Sequence, residues 1–209
     1  MTDARPDVPR ADELRAVVTA DPWLMSVLTA VRAARLPDAW VGAGVLRDLV
    51  WATRYGHGFD PAALRDVDVA YHEPGDVTRD GDARATTLLA RLRPDVPWEA
   101  TNQAAVHLWY AEFFDTDRPA PLPSTAAGVA TWPETATAVA VRLGDAGGIE
   151  VCAPCGLDDL LDGVWRRNPA RVTPAESRRR LARQRGRWPG ARIAESDGQG
   201  VAGDAASGA

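Results

Sequence analysis

Residues Trp40 to Tyr71, WVGAGVLRDLVWATRYGHGFDPAALRDVDVAY, constrain this chain more than any other stretch. A short apolar run ends in Gly42-Ala43-Gly44. A helical pattern opens on Val45-Leu46-Arg47-Asp48, and Asp66-Val67-Asp68 lies inside the run Leu64 to Tyr71. The order reads as strand, glycine turn, helix, loop, strand. Side chains two apart on a strand share a face, so Asp66 and Asp68 are expected close together. Two carboxylates held this way raise each other's pKa unless something offsets the charge. A divalent cation does so, and hard oxygen ligands suit Mg²⁺, which takes one or two carboxylates together with substrate phosphates. By spacing alone, the pair reads as well as the solvent face of a half-buried edge strand.

The glycine turn bears on that choice. Small residues at Gly42, Ala43 and Gly44, between an apolar strand and a helix, let backbone N–H groups approach a phosphate. The helix N-terminus adds partial positive charge. Arg47, in the first turn, carries a fork of donors suited to phosphate. Glycines also serve tight turns for purely steric reasons. GxxxxGK[ST] does not occur, and this turn is not a GxGxxG, so a P-loop and a dinucleotide-binding turn are both unsupported.

The order of helices and strands along the chain indicates an α/β or α+β fold. The 209 residues suffice for a sizeable core. Every basic residue is Arg, and the net charge of −5 argues against a chain that coats nucleic acid through a global basic field. The polar start MTDARPDVPR lacks the apolar segment of a secretory signal, and no apolar run approaches the roughly 20 residues of a spanning helix. Cys152 and Cys155 make no disulfide framework. A cytoplasmic protein with no membrane or disulfide partner is the expectation.

Residues 1–10 are expected to be unstructured, 11–194 to form a single domain, and 195–209 to be a disordered tail. Helices are expected from Asp12, from Asp21-Pro22, and over Thr78 to Arg93 with Leu88, Leu89 and Leu92 buried. More are expected over Asn102 to Phe114, Ser124 to Ala130, Gly156 to Trp165 and Pro174 to Arg187. Residues 115–123 read as a Pro-rich loop. Trp98 to Ala100 reads as a short strand, and Thr137 to Leu143 with Ile149 to Ala153 as a hairpin around a glycine-rich turn.

Strand, Gly-Ala-Gly, helix and a strand with Asp-x-Asp together resemble the nucleotidyltransferase fold of the DNA polymerase β superfamily. The text Gly44-Val45-Leu46-Arg47-Asp48 followed by Asp66-Val67-Asp68 is similar to the tRNA nucleotidyltransferase pattern GG-x-V-R-D…D-x-D. More closely, WVGAGVLRDLVW, DVDVAYHEP, TNQAAVH, WPETATAVAVRL and APCGLDDLL resemble a bacterial nucleotidyltransferase-like family, over about Ala39 to Trp188. The resemblance implies a small mixed sheet flanked by helices, with extra C-terminal helices. It implies transfer of a nucleoside monophosphate from an NTP to an acceptor hydroxyl, with two Mg²⁺ ions (Mn²⁺ the alternative). The acceptor, whether small molecule, protein or RNA, is not specified. Ala43 departs from the superfamily by standing where the first glycine of a pair is usual.

The resemblance also implies a third carboxylate in the pattern apolar–acid–apolar, which Trp98-Glu99-Ala100 fits. Asp66, Asp68 and Glu99 are then the expected catalytic and metal-binding acids, with Gly42, Ala43, Gly44 and Arg47 on the nucleotide. Asn102, Gln103, His107 and Arg142 are candidate substrate contacts, each with a structural alternative. Glu134 is expected to cap a helix or hold a pocket Arg. Cys152-Ala153-Pro154-Cys155 has a redox spacing, but the strand-poor chain after it does not complete a thioredoxin-like fold, and zinc lacks a second ligand pair. The run Arg178-Arg179-Arg180 with Arg183, Arg185 and Arg187 reads as a solvated helix face, or as a patch for an anionic acceptor. A non-catalytic nucleotide- or partner-binding module of the same fold is the alternative function.

Overall fold

The computed structural model of the chain describes residues 8–56, 58–109, 120–170 and 172–194. Two helices lead in, α1 (Val8–Ala20) and α2 (Pro22–Ala34). Asp21 caps α2 by accepting the Leu24 N–H at 2.7 Å, with Pro22 at the first position. Strand β1 (Trp40–Gly42) runs into α3 (Gly44–Tyr55). A single 3₁₀ turn at Pro61–Ala63 then precedes β2 (Val67–Tyr71), α4 (Arg79–Leu92) and β3 (Trp98–Asn102). The second half holds α5 (Thr125–Val129), β4 (Ala140–Leu143), β5 (Ile149–Cys152), α6 (Asp158–Leu161), β6 (Val164–Arg166), α7 (Pro174–Arg185) and β7 (Arg192–Ala194).

The main sheet has the order β3-β2-β1-β4-β5. Only β2 and β3 are parallel; the other three pairings are antiparallel. This is the mixed sheet flanked by helices that the sequence indicates. Leu14, Leu24, Leu28, Leu46, Trp51 and Leu89 are fully buried in a continuous core with Val41, Val67 and Val69 of the sheet. Among the described residues no single helix is long and apolar enough to cross a membrane.

Several boundaries differ from expectation. α1 already includes residues 8–10, while 1–7 lie outside the described residues, as does the expected tail 195–209. On α4 the buried stripe is Gly81, Ala85 and Leu89, while Leu88 and Leu92 are exposed. An i, i+4, i+8 stripe of small residues ending in one leucine suffices for a helix on the outer strand. Asn102 ends β3 and helical backbone begins only at residue 106; residues 110–114 of the expected helix and 115–119 of the expected Pro-rich loop lie outside the described residues. The hairpin forms as β4 and β5, but 137–139 turn instead of extending, because the Thr137 and Ala138 N–H groups donate to the Glu134 carbonyl. The expected helix Gly156 to Trp165 is only α6. Gly163, at φ 69°, stops it, and Val164–Arg166 becomes β6, pairing in parallel with β7.

Candidate active site

The turn from β1 into α3 is tightly packed. A Cβ on Gly42 would lie 2.5 Å from the Val139 carbonyl oxygen and 2.7 Å from the Trp132 ring. Ala43 adopts φ 57°, ψ −122°, a conformation that favours glycine. Its N–H donates to the Val139 carbonyl at 3.1 Å, and its own carbonyl accepts the Arg47 N–H at 3.3 Å. This bend turns the start of α3 toward β2, where the Gly44 N–H favours the charged form of the Asp68 carboxylate. The helix N-terminus is thus aimed at an acid.

Asp68 pairs in register with Gly42 on one side and Glu99 on the other, so two carboxylates stand side by side on adjacent strands. Asp66 lies one residue before β2 and is exposed, yet its charge reaches both. Burial, then repulsion from Asp66 and Glu99, pushes Asp68 up to about 7, against partial relief from the Gly44 N–H and Arg180. Burial, then Asp66, raises Glu99 as well. Among the described residues no three His, Cys, Asp or Glu side chains are gathered into a ready metal-binding group. The donor chemistry nonetheless fits a hard divalent cation: three carboxylates face one cavity, and in Asp68 and Glu99 burial and neighbouring acids disfavour the charged form.

The acids stand where two lobes of a cleft meet. One lobe, about 560 Å³, is polar and is lined by Ala43, Gly44, Arg47, Asp48, Asp66, Arg183 and Arg187 among others. The second, about 200 Å³, is walled by Val69, Val106, Trp109 and Val172, with Thr101, Gln103 and Thr131 as polar groups. Asp68, Glu99, Trp132, Pro133 and Arg180 border both.

Positive charge in the cleft comes mainly from α7 and the residues after it. Arg180, Arg183, Gln184 and Arg187 all line the polar lobe. Arg180 is fixed by Glu134, which has no exposure: Nε donates to Oε1 at 2.6 Å and Nη2 to Oε2 at 3.2 Å. Glu134 therefore holds a pocket Arg, one of its two expected roles. Buried Asp48 accepts Arg47 Nε and Nη2 at 2.9 and 2.7 Å on one oxygen and pairs with Arg187 Nη2 at 3.0 Å through the other. Trp188 pins this segment to α3, edge-on to Trp51 at 5.9 Å between ring centres.

The cleft gathers Asp66, Asp68, Glu99, Ala43, Gly44, Arg47 and Gln103 from the expected set, though two donor groups of Arg47 are already engaged by Asp48. Gly42 lines neither lobe; its missing side chain is accounted for by Val139 and Trp132. Asn102 is buried, its amide donating to the Glu73 and Asp76 carbonyls and its oxygen accepting from the Glu73 and Ala104 N–H groups, so it braces the loop after β2. Arg142 faces a different groove, paired with Asp38 and Glu150 and stacked 4.1 Å over Trp40. His107 lines neither lobe, and because helical backbone starts at residue 106 it shares no helix face with Gln103. Burial raises both thiols, Cys152 to about 11, which makes a thiolate role unfavourable. Asp48, Trp132 and the inward face of the arginine helix were not singled out by sequence. The 180, 183, 187 spacing of those arginines is helical and was the available signal.

The fold has known counterparts. The chain is similar to an NMR structure of a CCA-adding enzyme head domain, with a TM-score of 0.73 and 24% identity over 88% of this chain and 96% of that one. It is also similar to a CCA-adding enzyme solved with ATP, with a TM-score of 0.50 and 17% identity over 92% of this chain and 44% of that one. No functionally curated protein matches it. The model of a family described as Nucleotidyltransferase matches residues 29–193, and the chain belongs to that family and is a nucleotidyltransferase.

Proposed function

We propose that this protein transfers a nucleoside monophosphate from an NTP to an acceptor hydroxyl and releases pyrophosphate. The observation that carries the reading is the register of β2 and β3, which sets Asp68 beside Glu99 in front of the α3 N-terminus and a wall of arginines. Asp66, Asp68 and Glu99 would hold divalent metal, Mg²⁺ or Mn²⁺. When bound, it supplies charge stabilisation for the phosphoryl oxygens and the leaving group. The protein's own groups do the positioning. The Gly44 end of α3, Arg183 and Arg187 draw the triphosphate into the polar lobe. Arg180, held rigid by Glu134, faces the reacting phosphate beside Asp68. Glu99, with its raised pKa, accepts the proton of the incoming hydroxyl. Asp48 orients Arg47 and Arg187 so that their guanidinium planes need no reorganisation on binding.

The solved relative bound to ATP supports an NTP as donor. Calorimetric titration with the four NTPs in Mg²⁺ tests the reading. Binding of at least one is expected, and its loss in Asp68→Asn. If no NTP binds, the reading is wrong.

A further inference from the structure

We infer that the 200 Å³ lobe beside Glu99 is the subsite for the nucleobase of the NTP, with Trp132 as its fixed stacking wall. This rests on the nucleotidyl-transfer reading above and assigns the second half of the cleft.

The cleft is divided by polarity at the acids. Arginines and a helix N-terminus lie on one side; apolar and aromatic side chains lie on the other. A nucleoside triphosphate has the same division, with a polyanion at one end and a flat ring at the other, and the α-phosphate between them. Placing the triphosphate among Arg183 and Arg187 brings the α-phosphate to Asp68 and Glu99, and the nucleoside to the apolar lobe. That lobe suits a ring by size, about seven waters' worth of space at roughly 30 Å³ each. It suits a ring by chemistry also: Trp132 and Trp109 offer aromatic surface, and Thr101 and Thr131 offer hydroxyls for a base edge. It suits a phosphodiester less well: among the described lining residues its one cation, Arg180, stands at the border with the polar lobe, where the α-phosphate is placed, and Glu176 adds negative charge.

Trp132 is also set in place before any ligand arrives. Its ring lies over Gly42, where a Cβ would intrude to 2.7 Å, and its carbonyl accepts from Asn168 Nδ2 at 2.8 Å. A half-buried tryptophan held at its backbone and against Gly42 still lines the lobe. The absence of a side chain at Gly42 thus serves the base subsite, through Trp132, and not the phosphate subsite.

The test compares tripolyphosphate with each of the four NTPs in Mg²⁺, by calorimetry, on wild-type, Trp132→Ala and Trp132→Phe protein. At least one NTP is expected to bind wild type more tightly than tripolyphosphate. Trp132→Ala should weaken that NTP about 10-fold or more while leaving tripolyphosphate unchanged, as expected when one stacking partner is lost. Trp132→Phe, which keeps a flat ring, should recover most of the loss. Unchanged tripolyphosphate affinity shows that the variant is folded and its phosphate lobe intact. The assignment is overturned if the NTP keeps its advantage over tripolyphosphate in Trp132→Ala, or if the variant loses tripolyphosphate to the same degree. If wild type binds neither NTPs nor tripolyphosphate, the nucleotidyl-transfer reading falls and this one with it.

Discussion

Ala43 shows how a single residue carries strain at the centre of the site. Its φ of 57° with ψ −122° costs about 1–3 kcal/mol for a residue with a Cβ, and it persists because the Val139 carbonyl and the Arg47 N–H hold both sides of the bend. Ala43→Gly relieves that strain but adds freedom to the unfolded chain, for a net gain of about 1 kcal/mol. Thermal unfolding should shift upward by roughly 2–4 °C; a fall would mean that the backbone here is relaxed. Asp68 carries stress of another kind. Its folded pKa of about 7 exceeds the ordinary 3.8, so between those values the folded state binds more protons than the unfolded state. Stability must then fall as pH rises from about 4 to about 7, with the destabilisation complete above that. Melting curves of metal-free protein should show this decline, and Asp68→Asn should flatten it. Added Mg²⁺ should flatten the wild-type curve also. A wild-type melting temperature that tracks the variant's across this range would contradict the cavity electrostatics. At this scale the sequence was informative where neighbours are local. The Asp-x-Asp spacing and the first-turn Arg47 were legible. The roles of Gly42 and Asn102 were not, because they depend on Trp132, Val139, Glu73 and Asp76, which only the fold brings near.

Among the elements, α3 and α7 both line the polar lobe but are held differently. α3 is buried over most of its length, with Trp51 Nε1 donating to the Leu160 carbonyl at 2.8 Å. α7 has no buried residue and is retained by the Glu134–Arg180 pair, the Asp48–Arg187 pair and Trp188 beyond its end. An element with few buried apolar contacts opens at lower free energy than the core. Amide exchange on α7 should therefore be faster than on α3 or β2. A bound NTP spanning the lobe should slow it, by up to ~100-fold at ligand 100 times its Kd. Exchange on α7 that ignores the nucleotide would remove its arginines from the binding site. The helix itself was legible from Thr173-Pro174 and the arginine run; which way it faces was not, since Leu181 is its one large apolar residue and makes no apolar stripe to orient it. The three-residue strands β6 and β7 were missed for a related reason: they pair across a long stretch of chain and are too short for a periodic signal.

For the whole molecule, the order β1, α3, β2 was legible in Trp40–Tyr71 from strand patterns and a turn, whereas the mixed sheet and the expectation of a third acid at Glu99 came from the resemblance. The cleft did not follow, because its walls come from distant parts of the chain, among them the α3 start, β2–β3, residues 103–109, the Thr131–Pro133 turn and α7. No local pattern reports their convergence. The central claim is that these parts serve one reaction, transfer of the α-phosphoryl group with its nucleoside. It is tested most directly by incubating the protein with Mg²⁺, a cell extract and NTPs labelled at either the α- or the γ-phosphate. Label should pass from the α-labelled NTP to an acceptor, with γ-label released as pyrophosphate, and Asp68→Asn should reduce transfer at least ~100-fold. Transfer of γ-label to the acceptor, or α-labelling that is undiminished in Asp68→Asn, would contradict the account.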